Sequence, residues 1–142
     1  MKVFDQKLTK KQLRLVICKF AKQIGINKVI FNDNGKHVNG TYDTETRVLY
    51  LNNKQTKSRM LCTFFHELGH HTAVMQNKWK KYHHCLVPFM TADAIFTIEN
   101  KIDQIGKKLW HKHVDIKQWG MYKYGYPKSQ KNSIIKNFIS KQ

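Results

Sequence analysis

Two histidines one helical turn apart, with a glutamate beside the first, are the residues of this chain best suited to chemistry: His66-Glu67-Leu68-Gly69-His70. On a helix, residues four apart share a face. His66 and His70 therefore point the same way, at the spacing two imidazoles need to hold one Zn²⁺ at about 2.0–2.1 Å. Glu67 is rotated off that face. It is placed to act on a water at the ion, which is the position of a general base. The chemistry these residue types imply is metal-assisted hydrolysis.

Such chemistry needs elements that hold the residues in place. The run from Arg59 to Val74 reads as a helix whose back is buried by Leu61, Phe64, Phe65 and Leu68. Gly69 costs about 1 kcal/mol relative to Ala inside a helix, which makes sense if another segment passes close by. Cys62, one turn before His66, either faces the metal or fills the core. A catalytic zinc site takes three protein ligands and keeps one open position. Glu99 is the strongest third candidate. It is one of only three glutamates, on a helix marked by Ile95, Ile98, Ile102, Ile105 and Leu109 and running from Ala92 or Asp93 to about Trp110. Asp103, one turn further on, is placed to accept a hydrogen bond from the free ring N–H of a liganding histidine. His83 and His84 are the alternatives to Glu99, on a loop long enough to return. His71, Tyr82 and His83 are candidates to assist the oxyanion.

Upstream, Thr9 to Ile24 is an amphipathic helix built on Leu13, Val16, Ile17, Phe20 and Ile24, with Gly25 as its C-cap. Three extended runs follow: Lys28–Phe31, Lys36–Asp43 and Thr46–Leu51, the first two joined by the turn signal Asn32-Asp33-Asn34-Gly35. The fold class expected is α+β: a helix, a three-stranded antiparallel meander, the motif helix and a second ligand-bearing helix. Residues 1–112 form the domain. Residues 113–142 are a basic aromatic extension packed on it or trailing it, ending in a short helix near Ser133–Ile139.

Composition narrows the class further. The 142 residues suit one domain, and the 41% hydrophobic content a modest core. No stretch approaches the ~20 apolar residues of a membrane span, and the first residues lack a signal-peptide core. A cytoplasmic location without membrane association is expected. Cys18, Cys62 and Cys85 form neither a disulfide framework nor a Cys-rich zinc site. Lys and Arg number 26 against 9 Asp and Glu, a net charge of +17. That field favours acidic partners, either nucleic acid or an acidic protein. The tail around Trp119, Tyr122, Tyr124 and Tyr126 interleaves aromatics with lysines, a composition that either stacks bases and contacts phosphates or packs on the domain.

The motif, the later Glu99-x-x-x-Asp103, the leading helix and the strand run just ahead resemble the compact ImmA/IrrE-type zincin metallopeptidases, over roughly residues 10–110. That family is common in phages, mobile elements and bacterial regulators; a phage-encoded member would act in the host cytoplasm. The resemblance implies a minimal zincin-like fold, one Zn²⁺ held by His66, His70 and Glu99, Glu67 as general base and a protein or peptide substrate. It also implies that substrate lies extended along an edge strand, here Arg47, Val48, Leu49, Tyr50 and Leu51. Two alternatives stand beside it. One is an SprT-like protease acting on DNA-bound proteins, with His83 or His84 as third ligand. The other is a non-catalytic nucleic-acid-binding module on a zincin fold.

Overall fold

A computed structural model describes residues 2–33, 39–76 and 92–123, with side chains from Thr97 onward in the last of these. In chain order the elements are helix α1 (Lys10–Gln23), strands β1 (Lys28–Asn32), β2 (Gly40–Asp43) and β3 (Val48–Asn52), and helices α2 (Lys57–Met75), α3 (Ala92–His113) and α4 (Ile116–Trp119). The class is α+β, as expected. Tyr82, His83, His84, Cys85 and the Ser133–Ile139 helix lie outside the described residues.

The helices begin and end for local reasons. Thr9 caps α1 through a reciprocal box with Gln12: each backbone N–H donates to the other residue's side-chain oxygen, at 2.9 and 3.1 Å. At the other end Gly25 takes φ +93°. Its N–H and that of Ile26 then reach the Lys22 and Ala21 carbonyls, closing the helix with a left-handed turn that glycine adopts without steric cost. Thr56 caps α2 by accepting from the Arg59 N–H.

The sheet departs from the expected meander. Its order is β1-β3-β2, with β3 antiparallel to β2 but parallel to β1 in the register Lys28↔Val48 through Asn32↔Asn52. The turn signal after β1 therefore does not close a hairpin. The hairpin lies between β2 and β3, where Asp43 Oδ1 accepts from the Glu45 and Thr46 N–H groups and Arg47 turns the chain at φ +59°. Two expectations fail as a result. Arg47 belongs to a turn rather than a strand. Val48, Leu49, Tyr50 and Leu51 form the centre of the sheet, with both their backbone edges paired, so they are not a substrate edge. Of the two edge strands among the described residues, β2 is the one against α2: a Cβ on Gly40 would stand 2.7 Å from Thr63 Cγ2.

Helix α2 is buried almost all round, from Met60 to His71, as a helix at the middle of a domain must be. Phe64 and Phe65 pack with Phe4 and Phe20 in one aromatic cluster with ring centroids 5.2–6.4 Å apart. The core continues past residue 112. Val114 and Trp119 are buried in it, and the Trp119 indole N–H donates to the Phe4 carbonyl at 2.7 Å.

His113 borders this core, edge-on to Phe20 at 4.9 Å. Burial first, then the Lys112 and Lys2 charges, hold its pKa below the ordinary 6.5. The unfolded chain thus takes up a proton at a pH where the folded chain does not. This contribution to stability is complete above pH about 6.5 and is lost as pH falls from there toward the folded value. Denaturant titrations of the metal-free protein from pH 7.5 to 5 should show this decline, and His113→Gln should flatten part of it. An unchanged slope in the variant would remove His113 from the account.

Candidate metal centre

Helices α2 and α3 supply the site, and two glycines set how close they come. A Cβ on Gly69 would lie 2.5 Å from the Ile102 carbonyl oxygen, and one on Gly106 would lie 2.7 Å from the Phe65 carbonyl oxygen. Backbone meets backbone at this crossing, so no side chain separates the two helices there. The mid-motif glycine is explained: the close neighbour is α3 itself.

That approach brings Glu99 to the histidines. Its Oε2 is 3.2 Å from His66 Nε2 and its Oε1 is 3.4 Å from His70 Nε2. All three residues are buried, at 0%, 6% and 1% exposure for His66, His70 and Glu99. Glu67 is equally buried at 0%. The imidazole nitrogens and the Glu67 carboxylate lie within 4.8 Å of one another, close enough for His66, Glu67 and His70 to hold a metal ion. The donor set fits zinc: two imidazoles presenting Nε2, with carboxylate oxygen converging on them, are the ligand types that ion takes. Charged groups this deep in a protein are otherwise strongly disfavoured.

Asp103 follows Glu99 by one turn, and its Oδ1 is 3.3 Å from His66 Nδ1. A carboxylate only accepts, so Nδ1 is the donor in this contact. The same Oδ1 accepts a 2.6 Å hydrogen bond from the Tyr122 hydroxyl. Sequence reasoning missed Tyr122 in this role. Nothing in its neighbours along the chain ties it to Asp103, and it read as one aromatic of a basic tail.

His71 is not available to an oxyanion. Its Nε2–H donates to the Ile24 carbonyl at 2.8 Å, and its Nδ1 accepts from the Tyr42 hydroxyl at 2.6 Å. Burial holds the imidazole pKa down and raises that of the Tyr42 phenol to about 12, so both groups stay neutral. His71 instead joins α2 to the end of α1 and to β2. Of the tail aromatics among the described residues, Trp119 is buried in the core, and Tyr122 is partly buried against it with its hydroxyl on Asp103.

Among the described residues, no helix is long and apolar enough to cross a membrane. Residues 21–78 match the family model of the IrrE N-terminal-like domain, peptidase family M78. The match spans the sheet and α2, including His66, Glu67 and His70, and stops before Glu99. No curated protein and no solved structure matches the chain significantly.

Proposed function

On the footing of an ImmA/IrrE-type zincin-like metallopeptidase, we propose that this chain is a zinc-dependent endopeptidase acting on a protein substrate. His66, His70 and Glu99 would hold the ion. The observation that carries this reading is the convergence of both Nε2 atoms on one buried carboxylate at 3.2 and 3.4 Å. When bound, zinc would supply a Lewis acid for the scissile carbonyl and lower the pKa of a water toward ~7. Glu67 takes the proton of the attacking water and delivers it to the leaving amine. Asp103 keeps the His66 ring in the Nδ1–H tautomer. Substrate would pair in extended form along β2, the sheet edge against the motif helix. The net charge of +17 favours substrates with acidic segments.

Glu99 stands where the SprT-like reading would put His83 or His84, and its place between the two histidines favours it. Metal analysis separates the readings. The wild-type protein should carry one zinc ion per chain and cleave a protein substrate, and removing the ion with a chelator should stop cleavage. Glu99→Ala should weaken zinc binding by more than the roughly 10–100-fold expected for an outer-sphere partner. Full zinc retention in Glu99→Ala would move the third ligand to His83 or His84. A zinc-free wild type would end the proposal.

A further inference from the structure

We infer that Tyr122 is a positioning residue for the metal centre, acting through Asp103 on His66. The inference rests on the reading of His66 as a ligand and extends it to a segment that neither the motif nor the family match reaches. Three atoms form a chain: the Tyr122 hydroxyl donates to Asp103 Oδ1 at 2.6 Å, and the same oxygen takes the His66 Nδ1–H at 3.3 Å. An aspartate carboxylate rotates easily about its last torsion. With one donor it would keep that freedom. A second donor on the same oxygen fixes the carboxylate plane, and with it the direction in which His66 presents Nε2.

The surroundings hold the hydroxyl there. The Tyr122 ring lies against Trp110 at 5.9 Å, whose indole N–H donates to the Gly120 carbonyl at 3.1 Å. Gly120 turns the chain back at φ +83° after α4, bringing residue 122 toward α3. Gly106 leaves the room, since a Cβ there would stand 3.1 Å from the Tyr122 hydroxyl oxygen. Trp119 anchors the same segment on the Phe4 carbonyl. The hydroxyl is therefore presented from a packed frame, which is what a support of this kind requires.

The test is a double-mutant cycle read as zinc affinity by chelator competition, with the melting temperature of the zinc-free proteins alongside. Tyr122→Phe removes the hydroxyl and keeps the ring on Trp110. It should raise the zinc dissociation constant about 10-fold, the low end for outer-sphere partners, and leave the zinc-free melting temperature nearly unchanged. In an Asp103→Ala background the same substitution should have no further effect, because the route to the ion through Asp103 is gone. Unchanged affinity in Tyr122→Phe overturns the inference. So does an equal loss in the Asp103→Ala background, or a loss that merely follows a fall in zinc-free stability. A wild type that binds no zinc overturns the underlying site instead, and the wild-type titration identifies that case by itself.

Discussion

The Glu67→Gln protein is expected to bind one zinc ion as tightly as wild type and to cleave substrate about 10²–10⁴-fold more slowly. Gln has the same shape as Glu, so a fully buried side chain on α2 is replaced without a cavity. What disappears is the ability to accept a proton from water and return it to the amine. Zinc affinity from equilibrium titration and kcat/KM from peptide cleavage, measured on one preparation, give the two halves of the result. Cleavage at the wild-type rate would sink the mechanism. Loss of zinc together with activity would assign Glu67 to the ion itself, an arrangement the His66, Glu67 and His70 cluster also permits.

Gly69→Ala is expected to harm both the fold and the site. Helix propensity alone favours Ala by about 1 kcal/mol. Against that, the new methyl would meet the Ile102 carbonyl oxygen at 2.5 Å, Ile102 Cγ2 at 3.2 Å and the Gly106 N at 3.3 Å. Two of these neighbours are backbone and can yield only if α3 moves. Overpacking of this kind costs about 1–3 kcal/mol; less the propensity gain, up to about 2 kcal/mol remains, which for a domain of this size lowers the melting temperature by up to roughly 8 °C. Moving α3 also carries Glu99 away from His66 and His70, so zinc affinity should fall with stability. A Gly69→Ala protein as stable as wild type, with zinc affinity intact, would show that the helices are not held at this separation.

How far the sequence reached depends on how local each determinant is. The α1 cap at Thr9 and Gln12, the left-handed Gly25 and the α2 face carrying His66 and His70 all follow from residues within one or two turns. The helix carrying Glu99 and Asp103 was also legible, because the isoleucine period marks it. The strand order was not. The Asn32–Gly35 turn signal describes only the adjacent chain, whereas the β1–β3 pairing joins residues 20 positions apart and depends on where β2 lies against α2. His71 failed as an oxyanion candidate for a similar reason. Its partners, Ile24 and Tyr42, come from α1 and β2, and only the assembled fold brings them to it.

The parallel pairing of β1 with β3 sets a timetable for synthesis. Strand β1 leaves the ribosome before either other strand, but its partner follows 20 residues later, after β2 has been made. At translation rates of about 5–20 residues per second, β1 waits roughly 1–4 s for its neighbour. The β2–β3 hairpin needs no such delay, because its partners are neighbours in the chain. During the wait Val29 and Phe31, on the face of β1 that packs on the core, have α1, already complete, to cover them. The amphipathic leading helix is then more than one wall of the finished core: it is the shield under which an unpaired apolar strand is kept from other nascent chains.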